Sequence, residues 1–409
     1  MRRGVGTGAV ALLLLGTFGI SLSYGMLLLL PLYVRELGGN EADFGVVLSS
    51  AALPAVLCIG LLIRYPGALR PHNVVALAIA VYAAAAAGVS LVGEGWTALI
   101  GIGVLLGTAW AVVYTATPMV MSGMVTDECR AAYFGYLTGT QQLGIGAGPV
   151  VGRFLVETGL GFRGTFLAAG AVCLAAAALT MAVGFFSPDP RGGHATGRAT
   201  SAEDALPGPS FAGAIGGILR SEAVFSLAMV MLFACLFTSL TQFQTTFASA
   251  RGLDYSVFYV AYTVSVIASR FGLAPLTSRF DTRLVIAAAA SVLALAVAGF
   301  LTVGESVLLY AAVSVFVGLG YGLALPNVQA QAVNVSGEEI RPRVLPLAGL
   351  LFQAAILLFP LAAGWIIAAF GYPALFAVLV SLAAVQAVLA WWRVLAARKP
   401  KRGANARPA

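Results

Sequence analysis

Residues 97–121 read TALIGIGVLLGTAWAVVYTATPMVM and contain no charged side chain. About 20 mostly apolar residues suffice for a helix to cross the ~30 Å hydrocarbon core of a bilayer, so this stretch predicts a membrane-spanning helix. The whole chain has the same character, because 60% of its 409 residues are apolar and only 10% are charged. Soluble domains have about 25% charged residues. The composition therefore excludes a soluble enzyme, a disordered protein and a DNA-binding domain, despite the net charge of +7.

The chain contains twelve apolar runs of this kind, separated by short polar stretches such as Gly38-Gly39-Asn40-Glu41. The runs lack the alternation of strands, and unpaired strand backbone is costly in lipid, so each run is predicted to be a helix. The predicted fold class is an all-α membrane protein with twelve transmembrane helices. The runs are residues 8–34, 44–63, 73–92, 97–121, 132–156, 164–186, 221–247, 257–277, 284–303, 306–331, 344–369 and 373–393.

The basic residues predict the orientation, because cytoplasmic connections of membrane proteins are enriched in Arg and Lys. One set of alternate connections contains only Arg35, Arg163 and Arg251 as basic residues, whereas the other set and both chain ends contain most of the rest. We therefore expect both termini in the cytoplasm. The protein is predicted to be a multi-pass, monomeric component of a bacterial inner (cytoplasmic) membrane, in contact with the lipid bilayer and not with nucleic acid.

The two halves of the chain resemble each other at a shift of 211 positions. Matches at Gln, Arg and Pro carry the comparison, because these types are rare in the chain. We predict an N-terminal six-helix bundle at 1–186, a cytoplasmic linker at 187–220, a C-terminal six-helix bundle at 221–396 and a basic cytoplasmic tail at 397–409. The matching pairs include Gln142 with Gln353, Arg130 with Arg341, and Pro149 with Pro360.

The fifth run contains the pattern Gly-x3-Gly-Pro-x2-Gly, and with it the chain resembles the major facilitator superfamily over nearly its whole length. The resemblance implies two pseudo-symmetric bundles that expose a central site to each side of the membrane in turn. In that family the pattern is typical of antiporters, which favours export. It implies a gating or structural role for the pattern residues and for the arginines in the inner connections. These residues are Gly144, Gly148, Pro149, Gly152, Arg130, Arg279 and Arg341.

The resemblance is incomplete at the connection between the second and third helices. The family usually carries Gly-x-Leu-x-Asp-Arg-x-Gly there, but Arg64 and Tyr65 stand where Asp and Arg are expected. In the second copy Ser278 replaces Asp, Arg279 is kept and Asp281 replaces Gly. The charge latch of the inner face is thus degraded in both halves, which weakens a standard drug/proton antiporter assignment.

Arg270 is the exception to an uncharged interior. In a helix over 257–277 it lies ~5 Å from the centre, where a charge costs at least ~2.5 kcal/mol. One interpretation is that Arg270 binds an anionic group of a solute. The alternative is structural, because many family members have an Arg nine residues before the loop arginine, and the side chain could bond helix-end carbonyls.

Three glutamines are further candidates for solute contact. Gln142 and Gln353 each follow a loop arginine by about three helical turns, or ~18 Å, which places both near the bilayer midplane. Hydrogen bonds between helices are the alternative role for these amides. Gln242 lies in the most polar stretch of any run, at the end of the seventh, and helix capping is its alternative role. Tyr24, Tyr114 and Asn327 complete the predicted substrate-binding set, although packing is the favoured role for each one taken singly.

The sequence leaves the coupling ion open. No Asp or Glu lies deep within a run, and His72 and His194 lie in cytoplasmic segments. Coupling therefore uses a carboxylate at a helix end, or the substrate carries the charge, or transport is facilitated. Arg153 and Glu157, four residues apart, form either a local ion pair or an outer gate latch.

Nothing in the sequence supports catalysis, so the protein is predicted not to be an enzyme. The chain has no phosphate-binding loop, no assembled nucleophile–base set and no cysteine spacing typical of a metal site. We expect no cofactor and no metal. The predicted function is secondary transport of a small organic solute, anionic or zwitterionic, with export favoured. A multidrug or neutral-solute efflux pump and a facilitated uptake carrier are the alternatives, and a non-transporting membrane sensor is the hypothesis from another class.

Overall fold

The computed structural model describes residues 7–64, 70–186, 221–273, 279–337 and 341–398, and within these ranges it contains helices and turns but no strand. The predicted all-α membrane protein is thereby confirmed. The predicted linker 187–220 and nearly all of the predicted tail 397–409 lie outside the described residues, so those two boundaries stay predictions.

The first half contains six helices, two of which have a local irregularity. They are α1, Thr7–Met26 continued by the 3-10 turn Leu27–Leu29 and by Leu30–Glu36; α2, Glu41–Ser49 and Ala52–Arg64; α3, Pro71–Leu91; α4, Ala98–Met124; α5, Asp127–Leu155; and α6, Gly161–Phe186.

The second half repeats this arrangement. It comprises α7, Ala223–Gln242, followed by the short helix Gln244–Ser249; α8, Tyr255–Ala268, continued by the π-helical turn Ser269–Leu273; α9, Thr282–Gly299; α10, Val307–Asn334; and the stretch Arg341–Arg398, which non-helical Gly371 divides into α11 over 341–370 and α12 over 372–398.

Ten helical stretches among the described residues are long and apolar enough to cross a membrane. Two of them, Ala132–Phe186 and Leu347–Ala397, have 55 and 51 residues. Each is about 80 Å long, more than twice the hydrocarbon core of a bilayer. Glycines with positive φ interrupt both stretches, Gly159 at 96° in one and Gly371 at 80° in the other. Division at these breaks gives the twelve crossings that the sequence predicts, a number that stays a prediction together with the position of the termini.

Polar side chains cap several helix starts, and these helices begin earlier than the predicted runs. Asn40 accepts hydrogen bonds from the backbone of Ala42 and Asp43, and the Asp43 carboxylate accepts one from the Asn40 amide. This capping box makes α2 begin at Glu41 instead of residue 44. In the same way Asp254 accepts from the Ser256 amide at 2.8 Å and α8 begins at Tyr255.

The pattern glycines of α5 bring it close to α1 within the first half. A side chain at Gly148 would overlap the backbone of Gly25, and one at Gly144 would come within 2.6 Å of the Ser21 side chain. Small residues permit this close packing of helix backbones. Other glycines of α5 face the second half: Gly146 lies against Thr263 of α8, and Gly139 lies against Phe271.

The two halves meet along α2 with α11 and along α5 with α8. At one end of the first seam, Gly45 of α2 lies against the carbonyl of Pro360, and Gly364 of α11 lies against the carbonyl of Glu41. We call this end, where α1 connects to α2, the outer face, following the orientation that the basic residues predict. The opposite end is the inner face.

Candidate functional site

A hydrogen bond between two predicted site residues joins the halves at the centre of the molecule. The Gln242 side-chain amide of α7 donates to the Tyr24 hydroxyl of α1 at 2.8 Å. The Tyr24 ring stacks on Trp110 of α4, with ring centroids 4.0 Å apart. The structure therefore brings Tyr24 and Gln242 together, one from each half.

Aromatic rings continue this contact between the halves. Tyr114 of α4 stacks on Phe352 of α11, with centroids 6.3 Å apart. Phe352 in turn stacks on Phe237 of α7, and Phe237 stacks on Tyr321 of α10. We call Tyr24, Trp110, Tyr114, Phe237, Gln242, Tyr321 and Phe352 the central seam. Sequence reasoning missed Phe237 and Phe352, because ring pairs across the halves have no signal in spacing along the chain.

Arg270 lies at the edge of the central seam. It is close enough to Tyr114, Tyr262 and Tyr321 to interact electrostatically with all three hydroxyls. Arg270 belongs to the π-helical turn Ser269–Leu273, a local geometry that is frequent at functional sites.

Several buried polar atoms near the middle of the helices lack a hydrogen-bond partner among the described residues. They include Nε of Arg270, Nε2 of Gln142 and Oε1 of Gln353, which belong to three different helices. Both glutamine side chains are buried, 6% and 4% exposed. A buried polar atom without a partner costs free energy. These three atoms can bind a polar solute without first breaking a bond inside the protein.

The remaining predicted residues have more local contacts. The Asn327 amide donates to the Leu323 carbonyl of its own helix at 2.7 Å. Arg130, near the start of α5, and Arg279, just before α9, are exposed at the inner face. Arg341 begins α11, but its side chain lies outside the described residues. The gating roles of these arginines stay predictions.

The ion pair of Arg153 and Glu157 extends across the halves at the outer face. The Arg153 Nε donates to Glu157 at 2.7 Å within the first half. Its Nη1 also pairs with Asp254, which caps α8 in the second half. Exposed ion pairs stabilise little by themselves. This one nevertheless links the halves, as the gate-latch hypothesis requires.

A second outer contact was not predicted from the sequence. Glu41 pairs with Arg35 of α1 and accepts a hydrogen bond of 2.8 Å from the Tyr372 hydroxyl of α12. Glu41 is the one carboxylate that is buried among the side chains the structure describes, 7% exposed. The sequence signal was the capping box at Asn40, which places Glu41 inside a helix instead of a connection.

The structure has a small cavity beside the central seam and a larger one away from it. A cavity of about 10 Å³ lies beside it, lined in part by Phe237, Tyr262 and Tyr321, whereas sites for small organic molecules measure about 300–1,000 Å³. A larger cavity of about 520 Å³ lies between α2, α3 and α4. Its walls are apolar, and the bordering Leu61 and Leu77 are 58% and 61% exposed. It is a lipid-facing groove and not the polar site.

We expect the bond between Tyr24 and Gln242 to contribute about 1 kcal/mol to stability, as is usual for a buried hydrogen bond. Tyr24→Phe keeps the ring on Trp110 but removes the acceptor, and Gln242→Ala removes the donor. Thermal unfolding of both single variants and of the double variant tests this. Each single variant removes the same bond, so the sum of their two losses of stability counts that bond twice. The loss in the double variant should therefore be about 1 kcal/mol smaller than this sum. Strict additivity would contradict the contact.

The geometry defines a class of protein: a helical membrane protein of two similar halves that enclose buried polar groups along their seam. The sequence matches the model of the Major Facilitator Superfamily over residues 13–345 and again over 261–409. The chain belongs to this superfamily and is a membrane transporter. No curated protein sequence matches the chain significantly.

Solved structures have the same fold. The nucleoside transporter NupG has a TM-score of 0.72 and 16% identity, with 96% of this chain and 100% of that chain covered. A bacterial homologue of the human lysosomal transporter Spinster, inward-facing and unoccupied, has a TM-score of 0.68 and 14% identity, covering 97% and 96%. The human organic anion transporter MFSD10 (TETRAN) has 0.65 and 15%, covering 95% and 100%. At these identities the likeness shows the fold alone.

Proposed function

We propose that the protein moves a small organic solute with an anionic or zwitterionic group across the bacterial inner membrane by alternating access, with export as the favoured direction. Arg270 carries the proposal. Its guanidinium interacts electrostatically with tyrosine hydroxyls from both halves, and its Nε has no hydrogen bond to a described residue. A planar guanidinium with free donors is suited to a carboxylate.

Alternating access is supported by the packing of the two halves. Tyr24 and Gln242 bond across the centre, and Gly364 packs on Glu41 at the outer face, so the halves are in contact at both levels. The neighbouring cavity of about 10 Å³ cannot hold an organic solute. A solute therefore reaches the unpartnered amides of Gln142 and Gln353 only after the halves move apart, which rocking of one half against the other achieves.

One structural neighbour is an organic anion transporter and another is a nucleoside transporter, so proteins with this fold carry both charged and uncharged solutes. Export is supported by the Gly-x3-Gly-Pro-x2-Gly pattern of α5, which is typical of antiporters in the family. A neutral-solute efflux pump is the second candidate, because aromatic rings such as Tyr114 and Phe352 also suit apolar solutes.

Thermal unfolding of the purified protein with matched ligands tests the solute class. Carboxylates of graded size, from acetate to succinate and glutamate, are compared with their uncharged amides. We expect the best carboxylate to raise the unfolding temperature, because a ligand that binds only the native state stabilises it. Its amide should have no effect at equal concentration. Equal stabilisation by the amide would favour the neutral-solute pump.

A further inference from the structure

The buried carboxylate of Glu41 lies where the two halves touch at the outer face. Its side chain is 8% exposed, whereas that of its ion-pair partner Arg35 is 35% exposed. Glu41 and Arg35 belong to the first half, and Tyr372 belongs to the second. Separation of the halves therefore breaks the bond that Tyr372 donates to Glu41 and the bond of 3.3 Å that it accepts from Arg35, whereas the ion pair lies within the first half.

The backbone at the same residue is also part of the contact. The carbonyl of Glu41 lies against Gly364 of α11, so closely that a side chain there would overlap it. Behind Tyr372, Phe247 packs against its ring with centroids 5.5 Å apart. Glu41 is thus enclosed by the second half from two sides and loses these neighbours when the outer face opens.

We propose that Glu41 is a proton-binding site that controls the outer gate: the carboxylate holds the gate closed, and its protonation from the outer solution releases it. An ionised acceptor makes a hydrogen bond about twice as strong as a neutral one. Protonation of Glu41 therefore weakens the bond from Tyr372. Protonation also removes the ion pair with Arg35, whose side chain is partly exposed and can then be solvated by water. The O–H bond forms on opening and breaks on closing, and the proton returns to the outer solution.

Other charged groups around Glu41 do not provide this titration. Arg35 faces it from α1, and Arg251 stacks on Phe247 at 4.0 Å behind Tyr372. Burial lowers the pKa of Arg251, yet an arginine stays charged in the physiological range. The parts of α4 and α11 that pack on α2 contain no charged residue. The other acids of this region are Glu36, which is exposed at the end of α1, and Asp43, whose carboxylate accepts a hydrogen bond from the Asn40 backbone amide at 2.9 Å.

This inference deepens the proposed transport function and rests on it in one respect, namely that opening of the outer face serves transport. Spin-label distances across the outer face test it without any solute. The labels replace exposed Glu94 in the first half and exposed Thr302 in the second, in the full-length chain without its four cysteines. Distances that do not respond to pH would not contradict the proposed solute class. A wrong solute class would not change the expected distances.

We expect the fraction of long distances to rise roughly tenfold between about pH 8, where free carboxyl groups are ionised, and about pH 4, where free carboxyl groups take up protons. Glu41→Gln should show the acid distribution at both pH values. Asp43→Asn, which removes the neighbouring acid, should keep the response of the unmodified chain. Distances of the unmodified chain that do not change with pH would overturn the proposal, and so would a Glu41→Gln variant that still responds.

Tyr372→Phe provides an independent variant in case Glu41→Gln does not fold. It removes the hydroxyl of the second half that donates to Glu41 and accepts from Arg35, and it leaves the ion pair of Glu41 with Arg35 in place. We expect more long distances at about pH 8 and a weaker response to acid. A distribution like that of the unmodified chain at both pH values would overturn the role of this contact.

Discussion

Arg270→Ala lowers the apparent affinity for the transported carboxylate by about 10- to 150-fold, because a hydrogen bond to a charged group contributes about 1.5–3 kcal/mol. Arg270→Lys is also impaired, since an ammonium group lacks the planar fork that binds a carboxylate with two bonds. The measurement is uptake, into vesicles that contain the purified protein, of the carboxylate that stabilises it most. Inside-out vesicles report the export direction.

Arg283→Ala is the matched control for Arg270. Arg283 lies in the same half at the inner end of α9, away from the central seam, and its backbone amide bonds Asp281. Removal of this charge should leave transport unchanged. Transport by Arg270→Ala at the level of Arg283→Ala would show that the guanidinium has a structural role. The neutral-solute pump would then become the better account.

The helices could be predicted from the sequence because lipid imposes the length and polarity of each one. Residues 97–121 contain no charge, and α4 spans Ala98–Met124. The ends of the helices could be predicted less closely, because hydropathy marks apolar residues and does not include the polar residues that cap a helix. Asn40 and Asp254 each accept backbone hydrogen bonds and begin their helices two or three residues earlier than hydropathy suggests.

The candidate site could be predicted only in part. A lone Arg and buried amides in apolar helices stand out by their cost, so Arg270, Gln142 and Gln242 were identifiable. The partners of these residues were not identifiable, because Tyr24 and Gln242 are separated by 218 positions. Glu41 was missed for the same reason, since its partner Tyr372 is 331 positions away. Such contacts depend on how the halves pack and not on local pattern.

The outer contact depends equally on a residue without a side chain. Gly364 of α11 packs on the backbone of Glu41, and a methyl group there would overlap the carbonyl oxygen. Backbone atoms cannot move aside as the end of a flexible side chain does, so Gly364→Ala should push α2 and α11 apart. Overpacking costs about 1–3 kcal/mol, which corresponds to a shift of about 5- to 150-fold toward a conformer open at the outer face.

A cysteine at Thr245 reports this opening in a chain without the native cysteines. Thr245 is fully buried, and its hydroxyl donates to the Leu28 carbonyl of the other half at 3.2 Å. In Gly364→Ala a membrane-impermeant thiol reagent added outside should modify Thr245→Cys about 5- to 150-fold faster. The reagent reaches this position only when the halves separate at the outer face.

Two further glycines make the comparison decisive. Gly349 belongs to the same helix and has open space around it, so Gly349→Ala should leave the modification rate unchanged. Gly45 lies on the opposite side of the seam, and a methyl group there would come within 2.6 Å of the Pro360 carbonyl. Gly45→Ala should therefore accelerate modification as Gly364→Ala does. Gly364→Ala and Gly45→Ala could both leave Thr245→Cys modified as slowly as Gly349→Ala does. The contact of α2 with α11 would then not be the outer gate.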